Sequence, residues 1–177
     1  MTSAEHREHA LLEHLAETDA IDALLDLVSL TDIADALLTY YRSQEQMHDG
    51  TRDRATAAVT QWAQAVSCST TWWGDRHRIR TWLDLLIERA TSDWELAMVA
   101  AGPLGDFVRN DPDELRWLEE RLRRSAAYRR TIRHAWIWNQ VPAAVLERFE
   151  QLAGVPLRPP PTGRWLCFTY SRSVAAS

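Results

Sequence analysis

The sequence predicts an all-α protein: a single multi-helix domain of about six to eight helices with an extended Pro-rich C-terminal tail. Three observations predict it. From Ile21 to Leu152, apolar residues recur every three to four positions, the period that gives a helix one buried stripe. Ser, Asp, Gly and Pro punctuate these stripes where helix ends belong. A chain of 177 residues suits one domain, and burying roughly 70% of its unfolded surface is enough for a core without disulfide or metal. The expected division is a helical domain over 1–154, opened by an acidic helical segment over 1–30, and an extended tail over 155–177.

The first stripes are Ile21, Leu24, Leu25 and Val28, then Ile33, Leu37, Leu38 and Tyr41, with Thr31 as N-cap between them. After Gly50, Ala55, Val59, Trp62 and Val66 keep helical spacing, and Ser67–Gly74 reads as a loop. Ile79, Trp82, Leu83, Leu86 and Ala90 form the next stripe. Ser92-Asp93-Trp94-Glu95 fits a capping box, in which the Ser hydroxyl accepts an orphan N–H and the Glu reaches back. That helix is expected to stop at Gly102-Pro103, because Gly permits a left-handed cap and Pro cannot continue the ladder. Asp111-Pro112-Asp113-Glu114 opens another, with Leu115, Leu118 and Leu122 buried. Ser125 caps a helix carrying Tyr128, Ile132, Ala135 and Trp136. Pro142 opens the last one, with Val145, Leu146, Phe149 and Leu152, and Gly154 ends it. Beyond it, Pro159-Pro160-Pro161 is a stiff spacer, and Trp165–Tyr170 has strand-like composition.

Charge divides the chain. Residues 1–35 hold nine acids and one Arg, residues 36–150 sixteen of each sign, and residues 151–177 three Arg and no acid. All 20 basic residues are Arg, so every such cation is a planar, permanently charged fork. Nine Trp are expected mostly in the core or at interfaces. No apolar run approaches the ~20 residues of a membrane span, and the first residues lack the pattern of a signal peptide. The expectation is a cytoplasmic protein with no membrane partner. Cys68 and Cys167 exclude a disulfide framework and read as reduced thiols.

The stretch Leu96-Ala97-Met98-Val99-Ala100-Ala101-Gly102-Pro103-Leu104 resembles an uncharacterised bacterial family, domain of unknown function 6869. Its signature is an Ala-rich helix running into Gly-Pro-Leu-Glu, followed by a further helix and a segment ending near a Trp. Leu115–Leu122 and Tyr128–Trp136 take those later places, and the likeness covers about residues 31–152. Two departures stand out: Gly105 occupies the Glu position, and Asn110-Asp111 stands where His-Gly is expected. The resemblance implies a helical fold and a bacterial source, with Gly102, Pro103, Leu104 and Trp136 as structural motif residues.

The clearest candidate site is an Arg cluster over 116–133, notably Arg123, Arg124, Arg129, Arg130 and Arg133. Guanidinium forks bind carboxylate or phosphate bidentately. The same residues could serve as a solvated face with local Glu pairs, or as a dock for the acidic N-terminus. The net charge of −5 argues against a dedicated DNA binder. Trp72 and Trp73 could anchor a partner or stack bases, or plug the core. Trp136 is expected in the core and Trp138 at an edge or interface.

Other groupings read more plainly. His6, His9 and His14 form a solvated set rather than a metal site. Cys68, Asp75 and His77 match a thiol-enzyme set by residue type only, without a supporting motif. Asp84 and Glu88 share a helix face at i,i+4, beside His77 in sequence. No catalytic residue, metal or cofactor is assigned. The favoured function is a protein-interaction module, immunity- or antitoxin-like, whose partner is another protein. Nucleic acid or a phosphate ligand bound through the Arg cluster is the alternative. An enzyme with an unrecognised helical site is the third reading.

Overall fold

A computed structural model describes residues 10–12, 14, 21–48, 54–68, 75–108, 111–139 and 141–158. The described residues are 80% helical, with no strand among them. The helices are α1 (Ile21–Leu25), α2 (Leu30–His48), α3 (Arg54–Cys68), α4 (Arg76–Arg89), α5 (Asp93–Val99), α6 (Gly105–Val108), α7 (Pro112–Arg124), α8 (Ala126–Ile132) and α9 (Ala143–Ala153). A π-turn over Ala100–Leu104 joins α5 to α6. Residues 10–12 and 14 are also helical, and Leu12 is buried. Among the described residues the count of nine exceeds the expected six to eight, since the short α6 stands as a separate element.

Three layers stack. Helices α2 and α3 pack along each other on one side. α4 and α5 lie between, each touching α2 on one flank and α8 on the other. α7, α8 and α9 pack together as the third layer. The predicted stripes meet in this core: Ile33, Leu37, Leu38, Ile79, Trp82, Leu83, Leu118, Leu122, Ile132 and Phe149 are all fully buried. At roughly 1.5–3 kcal/mol for each large apolar side chain, this burial is the main force holding the layers.

Several caps agree with the sequence. The Ser92 hydroxyl accepts from Glu95 N–H, Asp111 from the N–H groups of Asp113 and Glu114, and Ser125 from Tyr128 N–H. Gly154 ends α9 in the left-handed region at φ 69°, where a side chain would be strained. Buried Ser43, Thr60, Ser67 and Thr131 return their hydroxyls to carbonyls three or four residues back, so the hydroxyl donors do not go unmet.

Four expectations are corrected. Ser29, not Thr31, caps α2: its hydroxyl accepts from Asp32 N–H at 3.2 Å, and the Asp32 carboxylate accepts from Ser29 N–H at 3.0 Å. The Ser29 hydroxyl also donates to that carboxylate at 2.6 Å, and this bond first, with the Ser29 N–H second, holds the Asp32 carboxyl below its ordinary range. Ser67 and Cys68 belong to α3 rather than to a loop, because buried Val66 and Ser67 extend the packed face.

The helix also does not stop at Gly102-Pro103. In a regular α-turn the Pro103 ring would strike the Val99 carbonyl, and Pro has no N–H to offer. The wider π-turn accommodates it, Gly102 keeps negative φ, and Gly105 N–H donates to Ala100 O. A Cβ on Gly105 would sit 2.9 Å from that same oxygen.

Finally, α8 ends at Ile132, so Ala135–Trp138 is not helical. Burial there alternates: Ala135 4%, Trp136 51%, Ile137 0%, Trp138 40% exposed. Trp136 is therefore a surface residue and not core. The acidic segment apart from residues 10–12, 14 and 21–30, the Trp72-Trp73 pair, the Pro-rich spacer and the strand-like Trp165–Tyr170 lie outside the described residues.

Candidate functional site

Helices α7 and α8 and the turn after α8 carry the Arg cluster. From Arg121 to Leu146 the chain has six Arg and no acidic residue. The capped start at Ser125 turns the chain sharply out of α7, and buried Tyr128 and Ile132 pin α8 to the core. This leaves its arginines at the rim, where they reach three different helix ends.

Arg129 Nη1 donates to Leu122 O at 2.8 Å, at the C-terminus of α7. Arg133 Nη2 donates to Ala153 O at 2.9 Å, at the C-terminus of α9. Both guanidiniums answer unpaired carbonyls at negative helix ends. Arg130 Nη2 meets the Asp93 carboxylate at 2.7 Å, in the first turn of α5. That bond and the Arg130 charge, helped by His134 and Arg133, hold the Asp93 carboxyl below its ordinary range. Arg123 and Arg124 pair with Glu119 and Glu120 one turn back on α7 and remain exposed.

The arginines thus split into two kinds. Arg123, Arg124 and Arg130 have carboxylate partners. Arg129 and Arg133 are held by neutral carbonyls, which fix the fork without formally neutralising it. Soon after Arg133 in sequence come the exposed Trp136 and Trp138, on a turn anchored by buried Ala135 and Ile137.

A second polar cluster joins α4 to α7. Arg76, Arg80 and Asp84 follow one another at four-residue spacing along α4. Arg80 forks onto Glu114 at 2.9 and 3.0 Å, and Glu114 is 1% exposed. Asp84 accepts from Arg121 and, at 2.8 Å, from the Tyr128 hydroxyl. Trp117 lies among them, edge-on to Phe107 and Tyr128, with the Arg80 and Arg121 guanidiniums 6.0 and 5.9 Å from its ring centre. Burial first, and the Asp84 carboxylate second, push the Tyr128 phenol far above its ordinary value, so it stays a neutral donor. On α5, buried Glu95 accepts from Arg42 and from Thr91 N–H, rather than reaching back to Ser92.

Within the enzyme-like groupings, Asp84 and Asp75 have structural partners. Asp84 binds Arg121 and Tyr128, and Glu88 is exposed. Asp75 caps α4 through Arg78 N–H, while His77 and Cys68 lie exposed on α4 and at the end of α3. Among the described residues, no group of three or more His, Cys, Asp or Glu is placed to hold a metal ion. Nor is any described helix long and apolar enough to cross a membrane. Of the histidine set only His14 is described. Sequence reasoning read Glu95 and Glu114 only as helix-start residues, missing their buried ion pairs, and did not single out Arg80 or Trp117. The spacing of Arg76, Arg80 and Asp84 was the available signal, but nothing in it names α7 as the partner.

No protein-family model matches the chain, and neither does any curated protein or solved structure.

Proposed function

We propose that the protein is a protein-interaction module that engages an acidic partner through α8 and the turn after it. The observation that carries this is the exposure of Trp136 and Trp138 in the turn that follows Arg133, whose guanidinium is held on the end of α9. Trp and Arg are the side chains that most often dominate binding energy at protein interfaces. An indole brings large contact area at low entropic cost, and a fork held in advance loses less freedom on binding a carboxylate. A turn anchored by buried Ala135 and Ile137 presents Trp136 and Trp138 at the surface. An immunity- or antitoxin-like role in a bacterial cytoplasm is the concrete form of this reading. The likeness to the Gly-Pro-Leu-Glu family is proposed for the same helical core. Its departure at Gly105 has a physical reason, since the π-turn leaves no room for a Cβ there.

The test compares wild-type protein with a Trp136→Ala/Trp138→Ala variant as bait in extracts of the native host. The reading expects a stoichiometric protein captured by the wild type and lost with the variant, whose circular dichroism stays unchanged. Retention of that protein by the variant overturns the assignment to this face. Capture of nucleic acid instead, released steeply by salt, moves the reading to phosphate binding by the same arginines.

A further inference from the structure

The two ends of the charge distribution lie on different elements. On one side, residues 21–41 hold four Asp and no basic residue. Their centre is the turn after α1, where Leu27 is 57% exposed beside exposed Asp26, with Asp22 and Asp32 exposed nearby in sequence. Asp22 meets Arg78 of α4 at 3.1 Å, but its carboxylate is 90% exposed. On the other side stands the Arg and Trp face of α8. The α4–α5 layer separates α2 from α8.

We propose that the Arg and Trp face of one copy docks the Asp22–Asp32 surface of a second copy, head to tail. The inference rests on reading that face as an interaction surface, and names this chain's own acidic surface as one occupant of it. Each patch offers an exposed apolar centre with an excess of one charge: Leu27 beside Asp26 and between Asp22 and Asp32, and Trp136 and Trp138 in the stretch that follows Arg129, Arg130 and Arg133, although Asp22 also meets Arg78 and Arg130 also meets Asp93. Complementary fields speed encounter and fix orientation, and salt weakens them. Because the patches differ, the contact is heterologous and leaves one of each unused at the ends of any open chain of copies. Patches this size belong with weak interfaces of less than ~1,200 Å². Self-association therefore masks the partner-binding face only when the protein is concentrated.

Analytical ultracentrifugation of the full chain, from micromolar to near-millimolar concentration, tests this directly. At low salt the mean mass is expected to rise continuously past ~2-fold of the monomer, and to return to the monomer at high salt. Leu27→Ser/Asp26→Asn and Trp136→Ser/Trp138→Ser are each expected to be monomeric alone. Mixed, they retain one intact patch of each kind and give a one-to-one pair that grows no further. A wild type that stays monomeric at low salt overturns the proposal, as does association by either variant alone or a mixture that fails to pair. If a substitution unfolds the chain, the wild-type salt and concentration series decides by itself. Capture of an outside partner by a wild type that never self-associates overturns this inference and leaves the partner reading intact.

Discussion

Removing the Arg80 side chain is the sharpest probe of how the layers are joined. Glu114 is 1% exposed at the third position of α7, and Arg80 supplies both of its close charged hydrogen bonds. Breaking a buried ion pair by deleting one member costs about 3–5 kcal/mol, chiefly because the other charge stays buried. Here the loss is smaller. The Arg80 side chain is 31% exposed, and Arg76 lies 3.9 Å from the same carboxylate. The positive end of α7 adds about 0.3–1 kcal/mol. We therefore expect Arg80→Ala to cost about 2–3 kcal/mol, a fall in Tm of roughly 4–12 °C for a chain this long. Urea unfolding followed by tryptophan fluorescence measures it, with an unchanged slope certifying two-state behaviour. Adding Glu114→Gln to Arg80→Ala should recover part of the loss, because the stranded charge is gone. A loss below about 0.5 kcal/mol for Arg80→Ala, or no recovery in the double variant, refutes the reasoning.

Further expectations follow from the same geometry. Gly105→Ala should destabilise by about 1–3 kcal/mol, since its Cβ meets Ala100 O at 2.9 Å, whereas Gly102→Ala meets only the Tyr41 hydroxyl at 3.8 Å and should be tolerated; thermal melts separate them. Trp82→Ala empties a fully buried site and should cost about 3–5 kcal/mol, while Trp136→Ala, at 51% exposed, should leave stability close to wild type. The Asp32 and Asp93 carboxyls titrate below their ordinary value in the folded chain. Their contribution is thus fully present above the unfolded value of about 3.9 and is lost as pH falls through the lowered folded values. Asp93→Asn should accordingly flatten the acid limb of a stability–pH curve measured by urea unfolding.

Local signals in the sequence carried far. Ser92, Asp111, Ser125 and Gly154 mark helix ends because a cap is a contact within four residues, which spacing alone can reveal. The buried stripes were legible for the same reason. The failures have physical causes. Gly102-Pro103 carries the signature of a stop, yet a π-turn absorbs a residue without an N–H, and only the packing around it selects that outcome. Ser29 and Thr31 both precede acids and apolar residues, and the reciprocal bonds with Asp32 decide between them. Trp136 fits the helical stripe of Ile132, and its exposure follows from α8 ending one turn earlier.

The candidate face was legible as composition and not as geometry. Sequence grouped Arg129, Arg130 and Arg133 in one cluster, and the structure sends them to the ends of α7, α5 and α9. That divergence depends on helices distant in sequence. The same holds for Arg42, Arg89, Arg121 and Arg148, each of which joins a carboxylate on another helix. A chain whose basic residues are all Arg has used them as planar clamps between layers.

The most direct test of the account is purification of the full chain from its own host at low salt and without nuclease. Mass spectrometry identifies what accompanies it, and the ultraviolet spectrum shows any nucleic acid. The account predicts one acidic protein in fixed stoichiometry, released when Trp136 and Trp138 are both replaced by Ala. A strong nucleic-acid band that salt removes, or a chain that emerges alone, contradicts it.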